Sequence, residues 1–291
     1  MQTKRSFMVS SFLALALSLA GVAQAKSCLW KATSKNGTLY VQGSSHVLKA
    51  ENYPLAPAIE AAYSNSTALV LEVDMAEMMS PKTQQLIMGK AMLAPPANLQ
   101  SVLKPVTYQS LESACTEIGL PIAAIQQFKP WFATMTLTLV KMQQMGLAAE
   151  HGLDKHFYEK AKADHKKIIG LESIDYQISL FDSLSDANPD DFVNRALEDL
   201  KMVEEEIEKL LAAWETGDMA TLDELLNSGF KDYPDIYNRF ITARNKIWID
   251  RLAKLSMDDE TYMVVVGAGH LPSPTGLLEL LRKKGFSLEQ L

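Results

Sequence analysis

The 291-residue chain is poor in several things, and each shortage excludes something. Beyond residue 25 no apolar run reaches the about eighteen residues that a membrane-spanning helix needs, so no stable membrane insertion is expected. Basic residues are outnumbered, 28 Lys and Arg against 35 Asp and Glu, and this balance disfavours nucleic acid and anionic lipid as partners. Cysteine occurs only at Cys28 and Cys115, which leaves room for one disulfide at most. An even pair in an exported chain permits that bridge, and closing so long a loop would contribute about 4 kcal/mol on the chain-entropy account; two buried free thiols are the other reading. His-Glu-x-x-His, Gly-x-Ser-x-Gly and a phosphate-binding loop are all missing, which removes the ordinary zinc-protease helix, the nucleophile elbow and the P-loop. There is no tandem repeat and no low-complexity linker, so residues 26–291 are read as one domain.

The first 25 residues are set apart. Lys4 and Arg5 precede an apolar run from Phe7 to Ala20, and Ala23-Gln24-Ala25 supplies the small-x-small pattern of a signal-peptide cleavage site. Export to the periplasm or beyond is therefore expected, with a mature net charge near −9 once Lys4 and Arg5 are gone. Lys26 stands where a lipobox before Cys28 would want a small or apolar residue, which argues against a lipid anchor.

The remainder has strands at both ends and helices between. Cys28 to Thr33 and Thr38 to Gly43, separated by Ser34-Lys35-Asn36-Gly37, predict a β-hairpin. Pro54 to Ser64 predicts a helix, Ala68 to Asp74 a buried strand, and Ser80 to Glu150 a helical stretch in which Phe132 to Val140 is part of a buried helix. Asp154 reads as the N-cap of a further helix, and Lys167 to Glu172 as a third core strand. Long helices are predicted over Pro189 to Trp214 and Tyr233 to Leu255, with Thr216-Gly217-Asp218 ending the first and capping the next. A strand over Thr261 to Val266 and a helix over Thr275 to Lys284 close the chain. The pattern is α+β: a small mixed sheet built from both chain ends, with a large helical insertion.

One device occurs twice. Leu39 to Gln42 runs into Gly43-Ser44-Ser45-His46, and Met263 to Val266 runs into Gly267-Ala268-Gly269-His270; each is strand, glycine, two small residues, histidine. Glu72 and Glu172 stand at two further predicted strand exits, and strand exits of one sheet converge on a common crevice. Two imidazoles and one or two carboxylates suit a divalent metal such as Zn, Mn or Co, which acidifies bound water for hydrolysis. Arg244 falls on the apolar stripe of Tyr237, Ile241, Trp248 and Leu255, where a buried cation needs a partner; its stem packed on Trp248 with the head in water is the alternative. Glu172 could instead cap the helix at Ser173. His151, His156 and His165 read as surface residues, and Glu204 to Glu206 as a solvated face.

Cys28-Leu29-Trp30-Lys31, Gly43-Ser44-Ser45-His46, Leu71-Glu72-Val73-Asp74, Lys129-Pro130-Trp131, Gly152-Leu153-Asp154, Gly170-Leu171-Glu172 with Gln177, Trp214 with Gly217-Asp218, Arg244-Asn245 and Val266 to His270 stand in the order seen in the TraB/GumN family, and the chain resembles it over essentially its mature length. That resemblance implies a fold related to the erythromycin esterase and ChaN-like proteins, and a likeness to the TIKI metal-dependent proteases. It implies His46, His270 and Glu72 as ligands of a divalent ion, Glu72, Arg244, Asn245 and Glu172 as site residues, and a peptide or small molecule as substrate. A binding protein that sequesters a peptide or haem in the same pocket is the competing expectation.

Overall fold

The computed structural model describes residues 26–291 apart from 182–183, 228–229, 231–232 and 259; the proposed signal peptide lies outside the described residues. Six strands form one sheet: β1 Leu29–Thr33, β2 Thr38–Ser44, β3 Ala68–Leu71, β4 Lys167–Gly170, β5 Thr261–Gly267 and β6 Ser287–Gln290. Their spatial order is β4-β3-β5-β2-β1-β6. The first four in that order run parallel, and β1 and β6 are antiparallel to their neighbours. Both chain ends therefore build the sheet, as the α+β reading predicts.

Asn36-Gly37 closes the β1–β2 turn, with Ser34 N–H donating to the Gly37 carbonyl at 3.0 Å. β5 carries five consecutive buried residues from Tyr262 to Val266, and β3 is buried throughout, as central parallel strands covered on both faces must be. The pairing of β2 with β5 decides the rest. Gly43 lies opposite Val266 and Ser44 opposite Gly267, so the two Gly-x-x-His segments leave the sheet side by side.

The helices are α1 Pro57–Ser64, α2 Met75–Met78, α3 Pro81–Ala91, α4 Leu99–Val102, α5 Pro105–Glu117, α6 Pro130–Gln144, α7 Leu153–Ala163, α8 Ile174–Ser179, α9 Pro189–Thr216, α10 Met219–Asn227, α11 Pro234–Tyr237, α12 Ala243–Leu255 and α13 Leu277–Lys283. α4, α5, α6 and α9 enclose an apolar core of their own around Leu99, Leu111, Leu137 and Val193, distinct from the core against the sheet.

Several expectations need correction. The strand predicted over Ala68 to Asp74 ends at Leu71, because Asp74 accepts from Ala76 N–H and caps α2. β4 stops at Gly170 and is an edge strand rather than a core one. The helix predicted over Tyr233 to Leu255 is interrupted by a π-helical turn, Asn238–Thr242. Asp154 is not an N-cap; Gly152 holds that position, without a side-chain cap. β6 was not foreseen. Cys28 and Cys115 are free, buried thiols in separate cores, so the disulfide is excluded. His156 is half-buried against Tyr53, ring centroids 5.0 Å apart, rather than on the surface. No helix among the described residues is long and apolar enough to cross a membrane.

Candidate active site

His46 follows β2, Glu72 follows β3, Glu172 lies two residues beyond β4 and His270 closes the turn after β5. Four strand exits thus deliver the four residues singled out from the sequence. α12 adds Arg244 and Asn245, both buried. Gly267 marks the centre: a Cβ placed on it would sit 3.3 Å from Glu72 Oε1, 3.5 Å from His46 Nε2 and 3.6 Å from His270 Cδ2. The absence of a side chain there opens the space on which three functional groups converge.

Hydrogen bonding fixes the state of His270. Asn245 Nδ2 donates to the carbonyls of His270 and Thr275, at 3.1 and 3.0 Å. Its Oδ1 must therefore accept from His270 Nδ1, 2.7 Å away, and Nε2 is left with a bare lone pair. That lone pair faces Arg244 Nη1 at 3.0 Å, a donor. Burial favours the neutral ring and, helped by the Arg244 charge, pushes its pKa down to about 3.

His46 is arranged the same way with the opposite charge preference. Its Nδ1 lies 2.8 Å from Asp154 Oδ2, and the Asp154 carboxylate, chiefly through its charge, raises the imidazole pKa to about 9. Ser44 Oγ donates to the same carboxylate oxygen. Asp154 can reach back to β2 because Gly152 packs against the His46 carbonyl; a Cβ at that position would collide with it. Asp154 thus lines the candidate site beside His46, whereas its sequence context predicts a helix cap. The signal that could have found it is the Gly152-Leu153-Asp154 motif, taken as a site contributor rather than as a cap.

The carboxylates share one cation. Arg244 Nη2 donates to Glu72 Oε2 at 2.5 Å and to Glu172 Oε1 at 2.8 Å, and Nε lies 3.1 Å from Glu172 Oε2. Gln177 Nε2 bridges the same two carboxylates at 3.2 Å each. Trp248 Nε1 donates to Glu172 at 3.0 Å, and Gly267 N–H to Glu72 at 2.8 Å. Burial, the largest single influence, opposes ionisation of Glu72, but the charge of Arg244, the two imidazoles and the Gly267 N–H together outweigh it and bring the pKa down to about 2. For Glu172 burial wins and its pKa is raised. Glu172 does not cap the following helix, since Ser173 does. The Arg244 head is buried between carboxylates while its guanidinium also lies 4.5 Å over the Trp248 ring, so the alternative with the head in water is excluded.

Above these groups lies a cavity of about 620 Å³, walled by Met75, Met78, Met79, Phe181 and Phe240. Polar machinery at the base of an apolar cavity is the usual form of a small-molecule or peptide site.

Over residues 28–290 the chain matches the family model described as the TraB/PrgY/gumN family. The chain belongs to this family. It is 26% identical to protein YbaP of Escherichia coli (strain K12) over 250 residues, covering 85% of this chain and 89% of the relative. YbaP of Shigella flexneri is also 26% identical, over 243 residues and 86% of its length. A protein of Treponema pallidum (strain Nichols) is 21% identical over 276 residues, 88% of this chain and 80% of the relative. No solved structure matches. Family membership accounts for the motifs as a set and leaves the chemistry to be argued from the site.

Whether the residues suit a divalent ion is a question of donors. Among the described residues no three His, Cys, Asp or Glu side chains are already disposed as a coordination sphere. The donor chemistry nonetheless fits. His270 Nε2 and Glu72 Oε1 are 3.9 Å apart, close to the roughly 3.4 Å that two ligands at about 2.1 Å make across a tetrahedral ion. Each imidazole has its other nitrogen tied to an oxygen, Asp154 or Asn245, which is how metal-binding histidines are held. Arg244 is itself a stand-in cation, seated between both carboxylates and the His270 lone pair.

Proposed function

We propose that this protein is an exported, metal-dependent hydrolase, most simply a peptidase, with His46, His270 and Glu72 as ligands of a divalent ion such as Mn, Co or Zn. The observation that supports it above the others is the convergence of His46 Nε2, Glu72 Oε1 and the His270 ring on the space over Gly267, with the far nitrogen of each ring anchored. A divalent ion bound there supplies an acidified water and polarises a carbonyl. The chain's own residues do the rest. Asn245 keeps the His270 proton on Nδ1, so that Nε2 stays a lone pair. Asp154 orients His46 and can hold its Nδ1 proton. Glu172, whose oxygens take donors from Arg244, Trp248 and Gln177, anchors the guanidinium. Arg244, with its donors spent on both carboxylates, His270 and the Phe240 carbonyl, holds Glu72 ionised and in place. Methionine and phenylalanine walls favour a peptide over a strongly polar substrate.

The test joins metal content to cleavage. Purified protein equilibrated with Mn, Co or Zn and analysed by elemental mass spectrometry is expected to hold one ion per chain, and His46→Ala and His270→Ala to lose it. A mixed peptide library followed by mass spectrometry should show cleavage that a chelator suppresses. Full metal content in both variants would overturn the ligand assignment. Stoichiometric peptide retention with no cleavage under any metal would favour the sequestering reading.

A further inference from the structure

A second cavity, of about 530 Å³, adjoins the first. Phe181 and Phe240 line both, and their rings meet edge to face with centroids 5.1 Å apart. These rings are therefore a partition with space on either side. Beyond them Leu184, Phe192, Phe230 and Ile236 supply apolar surface, and the one cation among the described residues that line it, Arg195, is engaged by Asp199 at 3.1 Å.

The partition is mechanically part of the site. Phe240 belongs to the π-helical turn, and its carbonyl accepts from Arg244 Nη1 at 3.1 Å. A π-helical turn shifts the hydrogen-bond register, and such turns are frequent at functional sites. Phe181 follows α8, the helix that carries Gln177 to Glu72 and Glu172. Both rings are thus positioned by residues that hold the carboxylates.

We propose that the second chamber is a side-chain subsite of the same cleft, taking one large apolar side chain, aromatic or leucine-sized, of a peptide that crosses the Phe181–Phe240 partition. That the scissile bond lies in the first chamber rests on the function proposed above; the subsite itself does not. An alanine methyl leaves such a chamber wet, whereas a phenyl ring, though smaller than the chamber, covers part of its apolar wall and displaces the water there, a gain of about tenfold to a hundredfold in affinity.

The experiment is calorimetric titration of the full chain with blocked oligo-alanine peptides carrying one Phe at each position in turn. One or two adjacent positions should bind at least about tenfold more tightly than the all-alanine parent. Ala196→Phe, which adds bulk to the chamber that Ala196 lines, should lower that ratio several-fold, and Phe192→Ala, which removes part of the apolar wall, should lower it as well. A wild type with no Phe preference at any position overturns the proposal, as does a preference undiminished in Ala196→Phe with its circular dichroism unchanged. If Ala196→Phe does not fold, a Phe192→Ala variant that keeps the full Phe preference overturns it. Phe-dependent binding without hydrolysis would refute the hydrolase and leave the subsite standing; hydrolysis indifferent to Phe would do the reverse.

Discussion

Two histidines that share one small space have pKa values shifted in opposite directions, His46 chiefly by the charge of Asp154 and His270 chiefly by burial. Asp154 puts a charge beside His46, whereas Asn245 offers His270 only a neutral oxygen in a buried place. Asp154→Asn should therefore bring the His46 pKa from about 9 back toward the usual 6.5, read directly from the ring resonances in an NMR titration; a value that stays near 9 would remove Asp154 from its role. Stability of the metal-free protein should follow the same groups. His46, raised in the folded state, contributes fully below pH 6.5 and loses its contribution as pH rises through about 9. His270, depressed in the folded state, contributes fully above pH 6.5 and loses its contribution as pH falls toward about 3. Glu72 adds to the acid limb, its contribution present above the usual 4.5 and lost toward about 2. Thermal melts from pH 3 to 10 are expected to peak near neutrality, with a flatter alkaline limb in Asp154→Asn and a flatter acid limb in His270→Gln.

Elements whose cause is local were legible, and those whose cause is distant were not. Asn36-Gly37 announces the β1–β2 hairpin within four residues, and three valines after Met263 announce β5; both stand as read. Asp154 looked like a cap because its partners, Ser44 and His46, are more than a hundred residues away in sequence. The π-helical turn left no trace, since Tyr237, Ile241, Arg244 and Trp248 keep a helix-like spacing through it. β6 is a short edge strand with alternating burial, too short to rise above a loop reading. Arg244 was placed on the buried stripe from that spacing, but its partners could be named only once α12 met the ends of β3 and β4. Those contacts set its energetic role. Arg244→Gln removes the charge between two buried carboxylates and should cost about 3–5 kcal/mol in chemical denaturation. Adding Glu172→Gln relieves one carboxylate, so the double variant should fall short of the sum of the singles by more than about 0.5 kcal/mol. Additive losses would mean that Arg244 and Glu172 are not energetically coupled.

At the scale of the whole molecule the segment that leads into β1 is tied to the residues that end β6. Ser27 N–H donates to the Leu291 carbonyl at 2.6 Å, Leu291 N–H returns to Leu29 at 2.9 Å, and Gln290 spans Ser27 and Gly217. The sheet core and the helical core each hold one cysteine, and neither core offers the other a thiol. Burial pushes the Cys28 thiol up to about 12 and the Cys115 thiol up to about 11, and it is the thiolate that reacts. An exported protein would meet an oxidising compartment with both thiols protonated, buried and apart. The native protein is accordingly expected to resist a thiol-reactive dye, to give two equivalents of reactive thiol once denatured without reductant, and to melt at the same temperature with and without dithiothreitol. A melting temperature that drops on reduction would show that a bridge forms after all, and since Cys28 lies against Gly43 at the root of the His46 loop, such a bridge would have to rebuild the site as well as join the two cores.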